Sequence, residues 1–140
     1  MDKGILRLID ANFNRCKEGL RVVEDIFRFV TPEERLRTHT RQLRHDLDRI
    51  ARENLIREGI LSRDSAQDPG KPLDALESDR KGIQDILYAN LQRAKESLRV
   101  LEETFKLTCP EQVKNIKQFR YDLYTLEKDI LSQWPSLSDS

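Results

Sequence analysis

Long apolar runs are missing from this chain of 140 residues. None approaches the ~20 residues that a membrane-spanning helix needs, so no membrane segment is expected. The opening stretch, MDKGILRLID, lacks the basic start, long apolar middle and small cleavage site of a secretory signal. Cysteine is scarce. Cys16 and Cys109 stand far apart in unlike surroundings, which points to reduced thiols in a cytoplasmic protein rather than a disulfide framework. Net charge is absent as well: 25 basic and 25 acidic residues are mixed along the chain, which excludes a general nucleic-acid surface. The five glycines are scattered at 4, 19, 59, 70 and 82. No Gly-x-x-x-x-Gly-Lys loop can be drawn through them, so a P-loop kinase is excluded. There is no Gly-x-Ser-x-Gly elbow and no Cys–His pairing for a nucleophile. The Glu-x-x-His motif of a carboxylate di-iron bundle is also missing. His39 and His45 are six apart, so they do not share a helix face. They read as solvated, and no metal is expected.

What the chain does have is a second copy of itself. Residues 11–33 read ANFNRCKEGLRVVEDIFRFVTPE and residues 89–111 read ANLQRAKESLRVLEETFKLTCPE, identical at twelve of 23 positions at an offset of 78. After a slip of two, RQLRHDL at 41–47 matches KQFRYDL at 117–123. Self-similarity of this kind marks a duplicated supersecondary unit.

Both copies have helical periodicity. Ile5, Ile9, Asn12, Cys16, Gly19, Val23, Ile26 and Val30 recur at alternating spacings of four and three, a seam packed against other helices. Leu6, Phe13, Leu20 and Phe27 widen the stripe. Ile83, Leu87, Asn90, Ala94, Ser97, Leu101 and Thr104 repeat it. Thr31-Pro32 and Cys109-Pro110 close these helices and open the next ones, with Thr31 and Glu34 read as a capping box. Leu36, Leu43, Leu47 and Ile50 make the seam of the partner helix in the first copy. Val113, Ile116, Phe119, Leu123, Leu126 and Ile130 make it in the second. One hairpin cannot bury its stripe alone. The prediction is therefore all-α: a four-helix bundle of two duplicated hairpins with approximate twofold symmetry, its helices near 4–30, 32–55, 76–107 and 110–131. Residues 1–132 form a single domain, with repeat one at 5–55, a loop at 56–75, repeat two at 76–131 and a flexible tail at 133–140. A short helix is expected near Leu55–Leu61.

The polar residues that both copies keep are the candidate functional ones. At about 100° per residue, Asn12 and Asn90 fall in mid-seam. Arg15 and Arg93 lie at its edge, and Asp46 and Asp122 border the seams of the partner helices. A buried amide left without a partner costs ~1–3 kcal/mol. Either these residues form a register-fixing polar layer, or Asn12, Arg15, Asp46, Asn90, Arg93 and Asp122 line a ligand pocket between helices. The small residues Cys16, Gly19, Ala94 and Ser97 fit both readings: they thin the packing, or they let helices approach closely. Arg21, Glu18 and Glu24, spaced by three, read as intrahelical ion pairs.

The run from Asp10 to Glu24, Asp-Ala-Asn-Phe-Asn-Arg-Cys-Lys-Glu-Gly-Leu-Arg-Val-Val-Glu, and its echo at 88–103 resemble a small helical domain of thiamine biosynthesis. Its motif runs Asp-Ala-Asn-x-Asn-Arg-x-Arg-Glu-Gly-Leu-Arg-Val-x-Glu. Lys117-Gln-x-Arg-Tyr-x-x-Tyr-x-Leu-Glu127 looks like its closing helix. The resemblance covers residues 4–131. Lys17 stands where Arg is common, and Cys16 where a small residue is usual. In cyanobacteria and some other bacteria that domain is fused ahead of a thiamine-phosphate synthase barrel. These 140 residues hold no such barrel, so synthesis of thiamine phosphate itself is not expected of them.

The resemblance implies an alternative hydroxymethylpyrimidine-phosphate kinase, for which ATP and Mg²⁺ would be needed. In that reading Arg15 and Arg93 hold phosphate through two-pronged charge-assisted bonds, and Asn12, Asn90, Asp46 or Asp122 read the pyrimidine ring. The missing glycine-rich loop favours a non-catalytic module instead, one that binds the ligand or docks onto a thiamine-phosphate synthase barrel. The expected partners are a small phosphorylated pyrimidine and a thiamine-phosphate synthase, with a homodimer left open and nucleic acid and membrane excluded.

Overall fold

The computed structural model describes residues 2–52 and 80–133. Helix α1 (Lys3–Asp25) starts where the Asp2 carboxylate accepts from the backbone N–H groups of Gly4 and Ile5. It runs on as a five-residue π-helical turn, Ile26–Val30, closed by Thr31 N–H on the Ile26 carbonyl at 2.8 Å. Helix α2 (Glu34–Arg52) follows, then α3 (Ile83–Thr108). A 3₁₀ turn at Pro110–Gln112 leads into α4 (Val113–Gln133). All four are α-helices, and no strand occurs among the described residues.

Local chemistry explains where the boundaries depart from expectation. The wider π turn changes the helical register, so Val30, expected in the seam, is 55% exposed. Thr31 does not cap α2. Glu33 sits before the helix, and its carboxylate accepts from Arg35 N–H at 3.1 Å, taking the place of the expected capping box. Helix α3 begins at Ile83 rather than near 76, with Gly82 extended before it and the Asp85 carboxylate accepting from Lys81 N–H at 3.1 Å. Gln133 belongs to α4. The connection 56–75, the short helix near Leu55–Leu61 and the tail beyond Gln133 lie outside the described residues.

The helices close a four-sided bundle. α1 packs on α2 and α3, α4 packs on α3 and α2, and α1 against α3 is the most extensive contact. The fully buried side chains are those at the expected spacings, among them Phe13, Leu20, Phe27, Leu36, Leu47, Leu101, Phe105, Leu123 and Ile130. They belong to one continuous core, in which the rings of Phe13 and Phe105 stand 6.0 Å apart. Each such side chain contributes roughly 1.5–3 kcal/mol by leaving water.

Polar ties hold each hairpin together. In the first, Lys17 Nζ meets Asp48 Oδ1 at 2.9 Å; in the second, Lys95 Nζ meets Glu127 Oε2 at 2.8 Å. The bonds from Lys17, and the charge of Arg52 beside it, hold the Asp48 carboxyl below the usual carboxylate range. A carboxylate whose folded value is depressed stabilises the fold above its unfolded value, about pH 4, and loses that contribution as pH falls further. Urea unfolding of the chain and of Asp48→Asn should therefore show a stability gap that narrows below about pH 4. A gap that stays constant from neutral to acid pH would contradict the assignment.

Candidate functional site

None of the six residues expected to form a pocket lines either of the two hollows found among the described residues. Asn12 is 1% exposed, and its amide donates to the Leu8 carbonyl of its own helix at 2.8 Å. Asn90 is half-buried and makes the equivalent bond to the Ile86 carbonyl, also at 2.8 Å. Arg15 and Arg93 are exposed and bond no side chain among the described residues. Asp46 and Asp122 accept from Gln42 and Gln118, each at 3.0 Å. The seam between α1 and α3 has no room for a ligand at its small residues. A Cβ built on Gly19 would lie 2.8 Å from the Asn90 carbonyl oxygen. Cys16 is fully buried against Ser97, and burial pushes its thiol up to about 12. The small residues serve close helix approach.

Other polar residues kept in both copies turn out to join helices. Glu24, 5% exposed, accepts from Arg44 Nε at 3.0 Å, across from α2. Glu102, also 5% exposed, accepts from Arg120 Nε at 2.9 Å. The expected intrahelical pairing of Glu24 is thus corrected: Arg21 instead reaches Asp25, at 3.4 Å. The reason is burial, since a carboxylate turned into the bundle needs a cation that can also enter it.

A candidate site runs along α1 and α2. A groove of about 840 Å³ is lined by Arg21, Glu24, Phe27, Arg28, Pro32, Glu33, Glu34, Arg37, Arg41, Arg44 and His45. Five arginines there face three glutamates. A second hollow of about 580 Å³ shares Arg44 and His45 and adds Lys17, Asp48, Arg49 and Arg52. The π turn builds one wall by carrying Phe27 and Arg28 into it. Arg28 stacks on Phe29, 4.8 Å from its ring centre. Arg37 clasps Glu34 with two bonds, at 2.6 and 3.0 Å, and its guanidinium holds that carboxyl below the usual range. Glu24 engages Arg44 through Nε alone. Arg41 is exposed and makes no ion pair among the described residues. Guanidinium groups with open donors bind phosphate or carboxylate oxygens in pairs. Among the described residues, no group of three or more His, Cys, Asp or Glu is placed to hold a metal ion, and no helix is long and apolar enough to cross a membrane.

What both copies share reaches only part of this groove: Arg21, Glu24 and Arg44 have the counterparts Arg99, Glu102 and Arg120, and the rest of the basic lining does not repeat identically. Arg37, Arg41 and His45 correspond to Val113, Lys117 and Tyr121 at the offset of 76. The remaining signal was in positions where the copies differ.

No solved structure matches the chain. Thiamine-phosphate synthases do match by sequence. The one from Synechocystis is 41% identical over 128 residues, covering 91% of this chain and 36% of the relative. That from Nostoc punctiforme is 38% identical over 128 residues, covering 91% and 35%, and that from Thermosynechococcus vestitus 40% over 123 residues, covering 87% and 34%. The chain thus spans about a third of the length of the curated relatives it matches. The ThiD2 family model matches residues 7–129, nearly the whole helical bundle, and the chain belongs to the ThiD2 family.

Proposed function

We propose that this is a thiamine-biosynthesis protein whose α1/α2 groove binds a phosphorylated aminopyrimidine. The observation that carries the reading is the excess of arginine in a groove large enough for a small phosphorylated ring. Family membership and relatives named thiamine-phosphate synthase supply the chemical class. Arg41 and Arg44 would hold the phosphate. The finer, catalytic reading is ATP-dependent phosphorylation of hydroxymethylpyrimidine phosphate, with ATP and Mg²⁺ as co-reactants. The finer architectural reading is that the hairpins are duplicates related by an approximate twofold rotation. The matched Glu24–Arg44 and Glu102–Arg120 bonds support it.

Calorimetry with hydroxymethylpyrimidine phosphate tests the binding. Each charge-assisted bond contributes roughly 1.5–3 kcal/mol, so Arg41→Ala should weaken binding about tenfold or more. Arg15→Ala and Arg93→Ala should change it little. The reverse pattern would move the site to the outer face of α1 and α3, and no binding at all would end the reading. ADP release on adding ATP and Mg²⁺ would separate kinase from binder.

A second reading, docking onto a synthase barrel, is favoured by Phe29 and Leu107. These repeat-equivalent side chains are 67% and 80% exposed, each near the end of its hairpin's long helix. Phe29→Ser and Leu107→Ser should then weaken co-purification with a thiamine-phosphate synthase, leaving ligand affinity unchanged.

A further inference from the structure

We infer that the chain carries one phosphate-binding groove rather than two, because Tyr124 fills in the second hairpin the position that is open in the first. The inference rests on the binding reading above. Arg44 and Arg120 are repeat-equivalent, and each is anchored through Nε to a buried repeat-equivalent glutamate, at 3.0 and 2.9 Å. From there the copies part. Arg120 Nη1 donates to the Tyr124 hydroxyl at 2.9 Å. Its guanidinium carbon lies 5.4 and 5.6 Å from the ring centres of Tyr121 and Tyr124, which themselves meet edge to face at 6.1 Å. Lys95 lies over the Tyr124 ring at 5.9 Å. The second arginine is enclosed by aromatic carbon and a neutral hydroxyl.

At the register of Tyr124 the first hairpin has Asp48. Its carboxylate is turned away, to Lys17 and Arg52, both at 2.9 Å. Arg44 therefore keeps its terminal N–H groups without an acceptor among the described residues, in a groove shared with Arg41 and His45. A guanidinium presents five donors in a fixed fork. One committed to glutamate leaves four, among them a parallel pair on Nη1 and Nη2 for two incoming phosphoryl oxygens. In the second hairpin, the hydroxyl takes one of that pair and the rings cover the approach.

Titration calorimetry on the full chain tests this, with hydroxymethylpyrimidine phosphate and, separately, inorganic pyrophosphate as probes. The expected stoichiometry is one per chain, with affinity at least tenfold weaker in Arg41→Ala and unchanged in Lys117→Ala. Tyr124 is 40% exposed, so Tyr124→Ala should fold, and it should admit a second, weaker equivalent of ligand. Two equivalents in the unaltered chain would overturn the inference and leave the binding reading standing, whereas a single site lost with Lys117→Ala would overturn both, since it would place the ligand on the second hairpin. A folded Tyr124→Ala that still binds one equivalent would overturn the role given to Tyr124. Absence of binding by either probe would remove the binding reading itself, and this inference with it.

Discussion

Replacing Arg44 by methionine should destabilise the bundle by about 3–5 kcal/mol, the usual consequence of leaving a buried charge without its partner. The carboxylate side chain of Glu24 is only 6% exposed and that of Arg44 20%. Methionine keeps much of the volume and removes the charge, so the largely buried Glu24 carboxylate loses the one cation hydrogen-bonded to it among the described residues. Arg120→Met should cost less. Glu102 also has Arg99 Nη1 at 3.5 Å, close enough to the surface to give partial compensation. Pairing Arg44→Met with Glu24→Met should restore most of the loss, because a buried ion pair and a well-packed apolar pair of similar volume differ little in stability. Denaturant unfolding of the two single variants and the double variant measures all three effects. If Arg44→Met unfolds within about 0.5 kcal/mol of the parent chain, as surface substitutions do, the pair is a surface pair and the interpretation fails.

Gly19→Val should be nearly as damaging, by a different route. Glycine in a helix interior is about 1 kcal/mol worse than alanine, so propensity alone predicts a gain from any side chain there. Packing opposes it. A Cβ at this position meets the Asn90 carbonyl oxygen at 2.8 Å and the Ala94 nitrogen at 3.7 Å. Those are backbone atoms, which cannot swing aside. Two helices must separate along the most extensive contact of the bundle, loosening Phe13, Cys16 and Leu98 beneath. Overpacking of this kind costs typically 1–3 kcal/mol, and a branched side chain should lie at the upper end. Gly19→Ala should fall between the two, with strain and propensity opposing each other. A melting temperature for Gly19→Val equal to that of the parent chain would mean that the helices are not in contact there.

The helices were legible because their signal is local. A period of four and three depends only on which residues recur, and Phe13, Leu20, Leu47 and Leu123 are buried as the period requires. The π turn at Ile26–Val30 and the Glu33 cap were not legible, since both depend on how the chain turns between α1 and α2. The site was legible only in part. Retention in both copies picked out Asn12, Arg15, Asp46, Asn90, Arg93 and Asp122. Asn12, Asn90, Asp46 and Asp122 are satisfied within their own helices. The groove joins the shared Arg21, Glu24 and Arg44 to Arg37, Arg41 and His45, which the second copy replaces with Val113, Lys117 and Tyr121. A search for sameness passes over Arg37, Arg41 and His45.

The sequence by itself determined that this is an all-helical chain with repeating stripes, which side of each helix is apolar, and which family motif it carries. Hydrophobic periodicity and a repeat written twice are properties of residue order. Tertiary structure alone decided two ambiguous points. Gly19 and Ala94 could have opened a cavity or allowed contact, and only the distance between α1 and α3 made it contact. Glu24 could have paired along its own helix or across to the next. The rotation of α2 about its axis brought Arg44 to 3.0 Å from it, and burial made that partner the one that counts. Spacing along a helix fixes which residues share a face. Which face meets which neighbour, and how closely, is set by packing of the whole bundle at once.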